Sequence, residues 1–210
     1  MTATTPSIAP DWQIGPIRLW KRPHQPGDRG EPGARDILSQ ALGQPPHTLP
    51  ITRDERGRPH FIDPLRHLET GWSHGGDVLL VALGENVELG VDVERVRARP
   101  RAMEVARRFF HADEVDWLLA QQEPAREQAF FRLWCAKEAV LKAHGQGISF
   151  GLHRLVFTES AGRLRVDRCD PQLGSPADWT LDHWSPAPGY LAALAWYPRR
   201  PGPIGDTSPP

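Results

Sequence analysis

Hydrophobic positions along this chain recur with two periods, and the change from one to the other marks out its elements. Val78 to Leu83 (VLLVAL) is an apolar run of strand length, and Gly71 to His74 (GWSH) is a shorter one before it. The Gly75-Gly76-Asp77 step between them signals a hairpin. Leu89 to Val96 alternates: Val91 and Val93 fall on one face of a strand, Asp92 and Glu94 on the other. Ile14 to Trp20 reads as a first strand, with Pro16 arguing for an edge. Leu155 to Thr158, Leu164 to Arg168, Trp179 to Trp184 and Tyr190 to Tyr197 read as antiparallel strands.

The second period is helical. From Phe130 to His144 no Pro or Gly interrupts the chain, and Phe130, Phe131, Leu133, Trp134, Val140 and Leu141 recur at spacings of three and four. This predicts one amphipathic helix, ended by Gly145 in a left-handed conformation. Shorter helices are predicted over Ala34 to Leu42, stopped by Gly43, over Met103 to Phe110, and from His111 through Leu119 with Asp113 as its cap. Pro23 to Gly33 is loop-like, Thr52 to Pro59 holds a turn, and Arg97 to Arg101 is a basic turn. Helices segregated from hairpins make an α+β chain.

Composition narrows the function. Of 210 residues, 39% are hydrophobic and 24% charged, which suits a soluble globular protein with a sizeable core. A net charge of −1 exerts no general pull toward nucleic acid or an anionic membrane. No apolar run approaches the length of a membrane span, and the N-terminus has neither a basic nor an apolar leader region, so a cytoplasmic location is expected. Cys135 and Cys169 form neither a metal-ligand spacing nor a disulfide framework. The segment 198–210, rich in Pro, Gly and Ser, is expected to be disordered.

The chemistry concentrates in three places. Asp92 and Glu94 at i and i+2 repel each other on one strand face unless a cation lies between them, and oxygen-only ligation of that kind suits Mg²⁺ completed by substrate phosphates. As a bare pair they could equally be a solvated strand face. Glu138 and Lys142, four apart, are neighbours on the helix, where an ordinary surface ion pair is the competing reading. Ser73-His74 ends a strand beside a glycine turn, where backbone can approach a ligand closely. Together these describe a metal–diphosphate site of two or three carboxylates, one lysine and one histidine.

The segments GWSHGG, LGVDVERV, RRFFHADE and LWCAKEAVLKAHGQGISF, in that order across roughly residues 55–155, resemble the surfactin-type (Sfp-type) 4′-phosphopantetheinyl transferases. That resemblance implies two similar α+β lobes in one chain, with the active site in the cleft between them. The lobes would span residues 1–97 and 98–200, with 201–210 as a tail. It implies transfer of the 4′-phosphopantetheine group of coenzyme A to a serine of an apo carrier protein, releasing adenosine 3′,5′-bisphosphate. By motif match, Asp92, Glu94 and Glu138 would hold Mg²⁺, and Lys142 would contact the transferred phosphate. Ser73 and His74 would bind coenzyme A phosphates, Arg58 would lie in a segment packed by the adenine, and Glu114 matches a glutamate near the metal. Glu138, or a water it orients on the metal, is the candidate base.

The implied protein is a monomer whose partners are coenzyme A and an acyl, aryl or peptidyl carrier, without nucleic acid or membrane. Two departures stand out. Gly75 replaces a serine common in the family, and the basic helix expected to serve the 3′-phosphate is shortened, leaving Lys21, Arg22, Arg29 and Arg35 as candidates. The competing functions are a coenzyme A or carrier-binding module without chemistry and a carboxylate-metal nuclease. Against the nuclease, Glu94 is followed by Arg95-Val96 and not by the acidic-x-Lys step such a site would want.

Overall fold

The alternation in the strands resolves into stacked layers in the computed structural model, which describes residues 8–199. The strand expected over Ile14 to Trp20 is in fact two, β1 (Trp12–Ile14) and β2 (Ile17–Pro23), paired antiparallel. Gly15, at φ +54°, and Pro16 make the turn between them, where proline's missing donor costs no ladder bond. Helix α1 (Gly30–Leu42) begins inside the stretch expected to be loop, with Pro32 in its first turn, and ends at a left-handed Gly43. A proline in the first turn gives up only an N–H that has no helical partner.

The short strands β3 (Ile51–Arg53) and β4 (Pro59–Phe61) flank the predicted turn. Then come β5 (Leu68–Gly75), β6 (Val78–Glu85) and β7 (Val87–Arg95). Two short helices follow, α2 (Ala102–Phe109) and α3 (Ala112–Leu119), before the long α4 (Ala125–His144). The chain ends its described part with β8 (Leu155–Ser160), β9 (Arg163–Cys169), β10 (Thr180–Trp184) and β11 (Tyr190–Pro198). Of the predicted tail, residues 200–210 lie outside the described residues.

One sheet has the order β1-β2-β6-β5 and another the order β10-β11-β7. Period two explains how they stack. Leu79, Val81 and Leu83 of β6 point to α1, packing with Trp20, Ile37 and Leu38. Val78, Leu80 and Ala82 of the same strand point the other way, against Val87, Leu89, Val91 and Val93 of β7 and Ala192 and Leu194 of β11. Ala193 and Ala195 of β11 face the next layer, α4. The order through the molecule is helix, sheet, sheet, helix. The expected lobe boundary at residue 97 follows β7, yet β7 takes its backbone partners from β11, with Asp92 opposite Ala193.

Helix α4 differs from its expected amphipathic form because it is buried around most of its circumference. One side lies on β7 and β11; the other meets α2, α3 and β8 through Phe110, Leu118 and Phe157. Each fully buried Phe or Leu there contributes roughly 1.5–3 kcal/mol, so the helix is the spine of the second core. The cap of α3 is His111 rather than Asp113: the His111 ring nitrogen accepts from the Asp113 N–H at 3.2 Å, and Glu114 accepts from the His111 N–H at 3.1 Å. An unprotonated imidazole nitrogen can do what a capping carboxylate does.

Candidate active site

Glycine sets the approach of the two elements that carry the candidate chemistry. A Cβ at Gly90 would collide with the backbone of Ala139 and Ala143, so only glycine lets α4 lie this close to β7. Two residues beyond Gly90, Asp92 points from β7 toward the helix, and Lys142 reaches back to it. The Lys142 Nζ–Asp92 Oδ1 distance is 2.6 Å. The same ammonium donates to Ser73 Oγ at 3.0 Å and to the Val91 carbonyl at 3.3 Å, and Ser73 donates to Asp92 Oδ1 at 2.9 Å. Three residues from three elements thus meet at one carboxylate oxygen.

The other oxygens are left over. Asp92 Oδ2 and Glu138 Oε1 are buried and have no hydrogen-bond partner among the described residues. Burial, with Asp92 nearby, pushes the Glu138 carboxyl up to about 7. Burial and Asp92 also raise the Glu94 carboxyl, against the pull of Arg99. Burial alone would lower Lys142, but Asp92 outweighs it and the ammonium is held above its usual range. Cys135, one turn from Glu138, is pushed well above a usual thiol by burial and by Asp92 and Glu94, so it is inert packing.

Among the described residues no three His, Cys, Asp or Glu side chains stand close enough to hold a metal ion, so the expected trio is not gathered into a finished metal site. Lys142 already neutralises Asp92. The donor set nonetheless fits a hard divalent cation. It consists of carboxylate oxygens only, two of them unpartnered, in a setting that penalises their bare charge.

His74, at the end of β5, stacks on His24 with ring centroids 4.3 Å apart. Burial, His24 and Lys142 all hold its imidazole below the usual range. At Gly75 a Cβ would sit 2.7 Å from the Val93 carbonyl oxygen, so the serine common in the resembling family could not occupy this backbone position. Beside Lys142 opens a cavity of about 240 Å³ walled by Arg53, Arg56, Arg58, Trp72, Gly90 and Lys142. Arg58 therefore lies where a ligand reaching Lys142 would pass. Of the N-terminal cations, Lys21 donates to the Pro186 carbonyl at 3.0 Å, Arg22 pairs with Asp11 at 3.1 Å, and Arg35 pairs with Glu31 at 3.0 Å. Arg29 stands at the N-cap of α1.

Glu114 is not at this cluster. Its carboxylate, 2% exposed with the whole residue, binds Lys137 at 2.8 Å and accepts from the Phe157 N–H at 3.0 Å. Sequence reading passed over Lys137, adjacent to Glu138 on α4. A lysine between Ala136 and Glu138, in the largely apolar run of residues 133–141, is the available signal. Arg99, in the basic turn, lays its guanidinium 5.3 Å over Trp134 and 5.5 Å over Phe130, so it packs on α4 while Arg95, Arg97 and Arg101 remain exposed.

Comparison with known proteins gives a consistent picture. The family model of the 4′-phosphopantetheinyl transferase superfamily matches residues 88–195. The slr0495 product of Synechocystis sp. is 32% identical over 172 residues, 77% of this chain and 68% of that protein. HetI of Nostoc sp., named a 4′-phosphopantetheinyl transferase, is 34% identical over 175 residues, 79% of this chain and 70% of its own. Sfp of Bacillus subtilis, with the same enzyme name, is 28% identical over 175 residues, 82% of this chain and 74% of its own.

Proposed function

Because the chain belongs to the 4′-phosphopantetheinyl transferase superfamily, we propose that it moves the 4′-phosphopantetheine group from coenzyme A to a serine of an apo carrier protein. The products are holo carrier and adenosine 3′,5′-bisphosphate. The observation that carries the site assignment is the meeting of Ser73, Asp92 and Lys142 at one oxygen beside the cavity, with the unpartnered Glu138 next to it.

In this reading the carrier serine oxygen attacks the phosphorus that bears the pantetheine. A new phosphorus–oxygen bond forms as the bond to the adenosine bisphosphate breaks. Lys142 meets the charge that grows on the transferred phosphate, and its rigid seating on Ser73 and the Val91 carbonyl fixes where that charge must come. His74 and Ser73 bind coenzyme A phosphates, and Arg58 lines the nucleotide end of the cavity. Glu138, directly or through a water it orients, is placed to take the serine proton. Mg²⁺ held by Asp92, Glu94 and Glu138 would supply neutralisation of the diphosphate as the leaving group departs. Exposed Arg95, Arg97 and Arg101 offer the carrier a basic approach.

The same reading makes the chain a cytoplasmic monomer; no helix among the described residues is long and apolar enough to cross a membrane. The test is mass spectrometry of a panel of apo carriers after incubation with coenzyme A, with and without Mg²⁺. The expected result is a phosphopantetheine adduct on at least one carrier, dependent on Mg²⁺. If no carrier in a broad acyl, aryl and peptidyl panel gains the adduct, the transferase reading is lost; an adduct formed equally well in chelator removes the metal from it.

A further inference from the structure

We propose that Arg199, just beyond β11, is a positioning residue for coenzyme A. It keeps Arg58 on the cavity wall by supplying the second cation of a four-member ion cluster. The proposal rests on reading the cavity beside Lys142 as the coenzyme A site. Arg58 Nη2 lies 2.7 Å from Glu88 Oε2 and 3.7 Å from Glu69 Oε1. Arg199 completes the square, with Nη2 at 2.7 Å from Glu69 Oε2 and Nε at 2.9 Å from Glu88 Oε1. It is anchored independently, donating from Nη1 to the Arg66 carbonyl at 2.7 Å and from its backbone N–H to Asn86 at 2.8 Å.

The charge balance gives the arrangement its consequence. Two guanidiniums face two carboxylates, and the Glu69 side chain is only 1% exposed. Such a buried carboxylate must keep a cation. Besides the two arginines, only His60 Nδ1, at 3.4 Å, and the Thr70 N–H, at 3.2 Å, reach it among the described residues. Without Arg199 the strong cation within reach of Glu69 is Arg58. Arg58 would then be drawn inward, its charge spent on two carboxylates, and lost to the cavity it lines. Arg199 does not itself line the cavity; it acts through Glu69 and Glu88.

A double-mutant cycle on the full chain separates this from simple structural support. Steady-state kinetics with coenzyme A and one competent carrier are measured for Arg199→Gln, Arg58→Gln and the double variant. The KM for coenzyme A should rise about fivefold in the first, about tenfold in the second, and only about tenfold in the double, because Arg199 has nothing to position once Arg58 has lost its charge. Both kcat and the carrier KM should stay within about twofold. Adding Glu69→Gln to Arg199→Gln removes the buried carboxylate that would draw Arg58 inward and should return the coenzyme A KM toward normal. A double variant near the product of the singles, or an unchanged KM in Arg199→Gln, overturns the proposal. If Arg199→Gln is too unstable to assay, the rebalanced Arg199→Gln/Glu69→Gln chain decides: a near-normal KM supports positioning, and one as high as in Arg58→Gln overturns it. An inactive unsubstituted chain would instead sink the transferase reading itself.

Discussion

Helix α4 carries two lysines on different faces, each paired with one carboxylate, and the two pairs are built in opposite ways. Lys137 is fully buried. Its ammonium binds Glu114 at 2.8 Å, the Leu152 carbonyl at 2.9 Å and the Leu155 carbonyl, so all three donors are used. Glu114 in turn accepts from the N–H groups of His111 and Phe157. Phe110 and Phe157 rings lie 5.0 and 5.5 Å from the same ammonium. Lys142, by contrast, is partly open to the cavity, and the carboxylates around it keep unpartnered oxygens. A saturated pair holds a fold together. An unsaturated one has valence left for a ligand, and that distinguishes the chemical face of α4 from the structural face.

The comparison breaks if the two faces respond alike to substitution. The largest separation is expected from Asp92→Ala and Glu138→Ala, each lowering transfer about a thousandfold or more while leaving the circular dichroism spectrum intact. Activity near normal in both variants would place the chemistry elsewhere. Lys137→Ala should do the reverse. It strands Glu114 in the core and should cost about 3–5 kcal/mol of unfolding free energy, read by denaturant titration. Activity per folded molecule should hardly change, and Lys137→Met with Glu114→Gln should recover much of the loss. A stable but inactive Lys137→Ala would erase the distinction between the faces.

Next in size is Lys142→Ala, expected to lower kcat about a hundredfold with a smaller effect on coenzyme A affinity. His74→Ala should appear mainly in the KM for coenzyme A, because it meets phosphate already present in the ground state. Swapped phenotypes would reverse the two assignments.

The smallest effect is in pH. A carboxyl raised from 4.5 to about 7, as in Glu138, stabilises the fold below 4.5, and that contribution is lost as pH climbs through 7. Lys137, held down from 10.5 to about 8, gives the opposite slope higher up: the fold gains stability from about 8 to 10.5, where the unfolded lysine would still hold its proton. Thermal midpoints in chelating buffer should fall across the lower window and rise across the upper one. Glu138→Gln should flatten only the lower one, and Lys137→Met only the upper.

Periodicity made the second half of the fold legible. Alternation in LGVDVERV placed Asp92 away from Val91 and Val93, and the spacing in FFRLWCAKEAVLKAH put Glu138 beside Lys142. Ser73 was found because a glycine turn follows it. What stayed hidden was set by partners distant in the chain. That Glu114 turns to Lys137, that α4 is buried nearly all round, and that Lys142 neutralises Asp92 all follow from which layers stack, which no local spacing encodes. The split of the first strand has a local reason: Pro16 alone reads as an edge signal, whereas Gly15-Pro16 together make a turn.

The pairing of β7 with β11 also sets a clock on the protein's manufacture. Asp92 sits on a strand whose hydrogen-bond partner, centred on Ala193, comes about a hundred residues later. At a ribosomal pace of about 5–20 residues per second, β7 waits some 5–20 s for β11 to be made. Until then β7 has no strand partner among the described residues. A chain that ends before β11 therefore lacks the ladder that seats Asp92. The site is complete only once β11 has been made and lies along β7.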